Sequence, residues 1–264
     1  MLILLHSSKA MRSAPQAGLA QPALLAQARQ LAAYLQALSA EELARMMKLS
    51  APLALKTQAL LAAWTDAPAA QTAALDSFIG DIYSGMQAPS LSAAERNYAN
   101  KTLRILSGLY GVLRPLDGIA PYRLEMGYKL PGLPAKNLYA YWGAQVAQQL
   151  PQAGPVVNLA AKEYSDVVTA YIDAARLVTP KFLTINRKTG EPAFVTVHAK
   201  VARGAFAHWL LVNRVEAPDE LAGFNAIGYR YDKKRSTPQA PVFVCKDFGG
   251  TGLSIRLQDK QGLS

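Results

Sequence analysis

The chain has 264 residues, 51% apolar and 17% charged, which allows a substantial buried core and excludes wholesale disorder. A formal net charge of +10 favours nucleic acid, or small phosphorylated and carboxylated molecules, without choosing between them. One cysteine and three histidines exclude a disulfide framework and argue against a closed zinc site, so no metal and no cofactor is expected.

Met1–Leu5 is a short continuous apolar run, the pattern of a buried strand. It has no charged leader and is too short to span a membrane, so the expected setting is the cytoplasm, as a monomer. His6-Ser-Ser-Lys9 follows as a polar loop, and loops at strand carboxyl ends are where ligands of α/β sheets sit. Lys9 reads either as part of such a site or as a solvated loop lysine. Residues 13–77 are rich in Ala and Leu and read as several helices. Ser39-Ala-Glu-Glu42 and Ser92-Ala-Ala-Glu95 fit capping boxes. Gly80-Asp-Ile-Tyr-Ser-Gly85 reads as a short extended segment in which Asp81 either orients a cation or binds a local amide.

Leu103, Leu106, Tyr110 and Leu113 recur at three- and four-residue steps, which predicts one helical face. Arg104, Ser107, Gly108 and Gly111 share a second face. The two glycines cost a helix roughly 1 kcal/mol each, so either the helix breaks there or something packs against bare backbone. A helix, a glycine hairpin and then Val112-Leu113-Arg114 is also the pattern of a helix-hairpin-helix, whose hairpin amides receive a phosphate. Pro115 places Arg114 at a bend, and Arg123 and Glu125 follow closely. Leu138–Leu150 reads as a helix whose Tyr139, Tyr141 and Trp142 either stack on a base or fill the core.

Val156–Ala160 is a second buried-strand candidate. Its Asn158 needs a partner if buried. Glu163, just beyond, is either a general base or a first-turn acid favoured by the helix dipole. Phe182–Ile185 and Phe194–Ala199 predict a hairpin around Lys188-Thr-Gly-Glu191. A helix then opens at Lys200-Val-Ala-Arg203-Gly204, where two cations beside free amides would seat an anion. Gly228–Tyr231 and Lys233–Arg235 form a basic patch before the last strand, Pro241–Cys245. Residues 1–248 are expected to form one α/β domain and 249–264 a loosely ordered tail. The sequence has no Walker loop, dinucleotide fingerprint, nucleophile elbow or zinc-protease helix.

Seven segments in order resemble the YaaA family of peroxide stress-response proteins. They are Met1–Leu5 with Lys9, Gly80–Gly85, Leu103–Gly127, Leu138–Gly143, Asn158–Tyr164, Ala199–Gly204 and Gly228-Tyr229. The resemblance implies a mixed α/β fold with a basic cleft and a helix-hairpin-helix-like element, associated with DNA binding. It brings no settled reaction. The chain departs from the family pattern at His6-Ser7-Ser8, where Ser-Pro-Ala is usual, and at Ala161, where serine is usual.

Two functions follow. In the first, Lys9, Arg104, Arg114, Arg123, Lys200 and Arg203 grip DNA phosphates, with Asn158, Gly204 and the Ser107–Gly111 hairpin completing the surface. In the second, the same cleft holds a small anionic substrate while Asp81, Glu125 or Glu163 move protons and Lys9 or Tyr164 assist.

Overall fold

The computed structural model describes residues 1–252, and the apolar run at the start of the chain is the centre of its larger sheet. β1 (Leu2–His6) is buried along its whole length. On one side it pairs in parallel with β2 (Leu103–Ser107), which returns as the antiparallel edge strand β3 (Gly111–Leu113). On the other it pairs in parallel with β4 (Val156–Asn158), followed by the edge strand β5 (Leu177–Val178). Parallel strands covered on both faces read as continuous apolar runs, which is why β1 and β4 stand out in the sequence.

A second sheet contains β6 (Lys181–Ile185), β7 (Pro192–Ala193), β8 (Tyr229–Tyr231) and β9 (Val242–Cys245), in the order β7-β6-β9-β8. The helices that matter for the site are α1 (Leu25–Gln36), α2 (Ala40–Met47), α3 (Ala51–Ala62), α4 (Asp81–Met86), α5 (Ala93–Thr102), α6 (Leu138–Trp142), α7 (Lys162–Thr169) and α8 (Thr196–Val212). Both predicted capping boxes form, with Ser39 starting α2 and Ser92 starting α5. The expected tail lies outside the described residues from 253 onward, while Gly250 and Gly252 lie against Val201 of α8.

The central stretch corrects the sequence reading. Leu103–Leu113 is a β-hairpin and not a helix, so it is no helix-hairpin-helix element. Ile105, Leu106, Leu109 and Leu113 are all fully buried. A segment apolar on every side satisfies a helical spacing by chance, and periodicity cannot separate the two. The turn is closed by Gly111 at φ +67 and by Ser107 Oγ, which accepts from the Tyr110 amide at 2.9 Å. Two further segments differ. Gly80–Gly85 is mostly the helix α4. Phe194–Ala199 is not a strand, because α8 already begins at Thr196 and only Pro192–Ala193 pairs with β6.

α8 joins the two halves of this architecture. Its Phe206 packs edge-on against Phe182 of β6 and Phe243 of β9, with centroids 5.5 and 5.2 Å apart. Two residues earlier its Gly204 faces the Ile82 carbonyl of α4, and Gly85 of α4 faces the Val201 carbonyl of α8. A Cβ at either position would overlap backbone atoms of the other helix. Overpacking of this kind costs about 1–3 kcal/mol or more. Gly204→Ala and Gly85→Ala should each lower stability by at least that amount in urea denaturation. Wild-type midpoints in both would contradict the close crossing.

Candidate functional site

The carboxyl ends of β1 and β4 lie side by side because the strands pair in parallel with Leu4 opposite Asn158. The chain leaving β1 and the chain entering α7 therefore face the same space. α4 and α8, locked at their glycine crossing, close it from a second side. The result is a cavity of about 390 Å³ lined by His6, Ser7, Ser8, Lys9, Asp81, Tyr83, Glu125, Ala161, Glu163, Tyr164 and Lys200, among others.

Six of the side chains singled out from sequence meet here: Lys9, Asp81, Glu125, Glu163, Tyr164 and Lys200. Lys9 Nζ stands 2.9 Å from Glu125 Oε2, and Tyr128 donates to the other oxygen of that carboxylate at 2.5 Å. Glu163 Oε1 accepts from the Gly127 amide at 2.9 Å, so the loop after Tyr122 is tied to the first turn of α7. The Tyr83 hydroxyl donates to the His6 carbonyl at 2.9 Å, which fixes α4 to the end of β1. Ser8 Oγ donates to the Ile79 carbonyl. Gly80, at φ +147, would place a Cβ 2.9 Å from Ser8 Oγ, so both its conformation and its space call for glycine.

Asn158 sits at the strand end, where its Oδ1 accepts from the Ala160 amide at 3.0 Å and satisfies the buried amide locally. Burial and the neighbouring Tyr122 raise the Tyr164 hydroxyl well above its ordinary pKa, while its hydrogen bond to Ser7 opposes the rise. Tyr164 is thus a proton donor at neutral pH and not a base.

Other predicted residues lie elsewhere. Ser107, Gly108 and Gly111 are enclosed in the core, with the Gly108 carbonyl accepting from Trp142 Nε1 at 3.1 Å. Arg104 turns back onto the end of α5 and donates to the carbonyls of Asn100, Lys101 and Leu103. Arg114 holds Asp117 through its amide at 2.8 Å and its Nε at 3.2 Å. Arg104 and Arg114 line a separate cavity of about 150 Å³ that shares no residue with the first. Arg123 is half-buried, and its Nε has no hydrogen-bond partner among the described residues. Lys200 and Arg203 are the fifth and eighth residues of α8, beyond the first turn with its free amides, so the expected seat at a helix start is not formed. Gly204 serves the helix crossing. Trp142 is fully buried, and Tyr139 and Tyr141 donate to the carbonyls of Glu163 and Gln27, so these aromatics pack and brace the fold.

Sequence reasoning missed the outer part of the site. A groove of about 1360 Å³ continues from Lys9, Glu125 and Glu163 and carries Arg45, Lys48, Lys129 and Lys136 along its edges. These cations come from α2 and its C-cap and from the loop after Tyr128, and no local pattern links them. Among the described residues there is no group of three or more His, Cys, Asp or Glu side chains that could hold a metal ion. No helix among them is long and apolar enough to cross a membrane.

His6 is the one imidazole of the cavity. Its burial, with Arg203 and Lys200 nearby, lowers the imidazole pKa from 6.5 to about 4, against the hydrogen bond to the Ser7 carbonyl. Since the folded value lies below the unfolded one, His6 contributes stability above pH 6.5 and loses it as pH falls toward 4. The maximum effect is about 3 kcal/mol. Wild type should therefore lose more stability between pH 7 and 4.5 than His6→Ser does, in urea denaturation at both values. Equal losses would show that His6 is not held neutral by burial.

Comparison with known proteins bears out the family resemblance. The family profile described as peroxide stress protein YaaA matches residues 1–235. A UPF0246 protein of Salinispora tropica is 57% identical over 261 residues, covering 98% of this chain and 99% of its own. UPF0246 proteins of Ruegeria sp. and Marinomonas sp. are each 38% identical, over 92% and 84% of this chain and 99% and 87% of their own. The positions noted above as departing from the expected pattern, His6-Ser7-Ser8 and Ala161, all line the cavity at the end of β1. The chain belongs to the YaaA family of peroxide stress proteins.

Proposed function

We propose that this peroxide stress protein works in the cytoplasm by binding a small anionic molecule in the cavity at the end of β1, and that the cavity moves protons on it. The observation that carries this reading is the meeting of Lys9, Asp81, Glu125, Glu163, Tyr164 and Lys200 around about 390 Å³. A concave site with convergent polar groups at strand carboxyl ends is the usual place for a metabolite in an α/β protein. In this reading Lys200 takes the anionic group, with Arg203 reinforcing the positive field. Asp81 and Glu163 are the candidate proton acceptors, Tyr164 donates, and Glu125 holds Lys9 in place. Two cations against three carboxyl side chains suit a defined substrate better than a polyanion, which needs a uniformly positive track.

A second reading, DNA binding, is favoured by one observation. The outer groove carries Arg45, Lys48, Lys129 and Lys136 and opens into the cavity at Lys9. Phosphates would lie along that groove, with Arg104, Arg114 and the Ser107–Gly111 turn taking no part.

The test pairs two assays on one set of variants. Thermal shift with phosphorylated and carboxylated metabolites should find a stabilising compound whose effect disappears in Lys200→Met and persists in Lys129→Glu/Lys136→Glu. Fluorescence anisotropy with short duplex DNA across salt concentrations should show any binding behaving oppositely. No stabilising metabolite, together with DNA affinity that falls in Lys200→Met, would overturn the small-molecule reading.

A further inference from the structure

Beyond the inner cavity the groove of about 1360 Å³ continues, and the two share Lys9, Glu125 and Glu163 as lining. One loop builds the junction. Its Gly127 amide donates to Glu163 at 2.9 Å, and its Tyr128 hydroxyl donates to Glu125. Farther along, the Pro131 carbonyl accepts from the Tyr34 hydroxyl of α1 at 2.8 Å, so the loop is braced as a wall of the groove. Sites for compact ligands span roughly 300–1000 Å³, a range that the inner cavity of about 390 Å³ meets by itself. The groove is room for a longer molecule.

The lining says what that length is made of. Leu38, Met46 and Leu133 line the groove and are only half-buried, a strip of aliphatic and thioether surface that suits an apolar body. A phosphodiester track has no use for such a strip, and base stacking needs ring faces. Among the described residues the one ring of the lining is Tyr128, whose hydroxyl is committed to Glu125.

The charges of the groove are unevenly matched. Each acid of the lining is engaged: Glu42 accepts from the Ser39 amide at 2.7 Å, Glu125 pairs with Lys9 at 2.9 Å, and Glu163 holds the Gly127 amide. Arg45 and Lys48 make no ion pair among the described residues. They stand three positions apart at the end of α2, with Lys48 its C-cap at φ +53. The left-handed region favours glycine, so this lysine brings its charge to the groove at a backbone cost.

We propose that cavity and groove hold one elongated molecule with an anionic group at each end of an apolar body. The near group meets Lys200, the body lies along Leu38, Met46 and Leu133, and the far group meets Arg45 and Lys48. This rests on the small-anion reading of the inner cavity and names the class of substrate that reading leaves open.

Butyrate, octanoate and suberate are the probes, compared by calorimetry on the full chain. Octanoate should bind at least about tenfold more tightly than butyrate, less than full burial of four methylenes would give. Suberate, equal to octanoate in carbon number, should bind about fivefold more tightly again. Met46→Gln, close to isosteric, should bring the ratio of octanoate to butyrate near one. Lys48→Gly should bring suberate toward octanoate while raising the urea midpoint, because glycine relieves the left-handed C-cap. A suberate preference lost in a more stable variant is no folding defect. Lys200→Met should weaken all three probes. Equal binding of the three, still sensitive to Lys200→Met, would overturn the role of the groove and leave the small-anion reading standing. So would a suberate preference indifferent to Lys48→Gly. No binding of any probe, or binding that ignores Lys200→Met, would overturn both.

Discussion

Where Gly85 meets Gly204, α4 and α8 approach so closely that the carbonyl of each helix occupies the place a side chain would fill on the other. The arrangement of the site depends on that approach. α4 brings Asp81 to the cavity and, through the Tyr83 hydroxyl on the His6 carbonyl, is pinned to the end of β1. α8 brings Lys200 to the cavity and Arg203 to the electrostatic neighbourhood of His6. Just beyond the crossing α8 is held by an aromatic cluster on the second sheet, where Phe206 touches Phe182 and Phe243 of that sheet and Phe224 beside it. A cation is thus carried from one sheet to the carboxyl edge of the other on a rigid element, which suits a site that must hold its geometry.

The electrostatics of the cavity follow from this convergence. Glu125, mostly buried, is satisfied by Lys9 and Tyr128, and Glu163 by the Gly127 amide. Neither carboxylate has to be neutralised by a second cation. Lys200 makes no ion pair among the described residues, though it stands in the same cavity as three carboxyl side chains. His6, held neutral by burial, adds a polar group without adding charge. The protein's large positive charge is expressed farther out, along the groove edged by Arg45, Lys48, Lys129 and Lys136. An inner pocket of mixed sign opening into a more basic groove gives one protein two distinct anion environments.

Much of this was legible in the sequence where local chemistry decides it. The apolar runs of β1 and β4 marked buried strands, and Ser7–Lys9 after the first and Glu163 and Tyr164 after the second fell into the cavity. Capping boxes announced α2 and α5 because the cap is a contact between residues three apart. The central hairpin was not legible. Its strands are enclosed by the rest of the fold, so Leu103 to Leu113 carry no polar alternation to betray a period of two. The same holds for Gly204, whose neighbour is a backbone carbonyl more than one hundred residues away in sequence. Arg104 and Arg114 looked like site cations by density alone, but the end of α5 and Asp117 claim them locally. The start of α8 was displaced for a related reason. Thr196-Val-His alternates like a strand, yet no strand is available to pair with it beyond Pro192–Ala193.

The most direct test of the cavity as the working part of the protein is peroxide survival of cells that lack the native gene and carry variants expressed at equal levels. Lys200→Met and Glu163→Gln should lose protection, while Arg104→Ala, on the separate cavity beside β3, should protect like wild type. Full protection by both cavity variants, with loss in Arg104→Ala, would contradict the account and move the function to that second cavity.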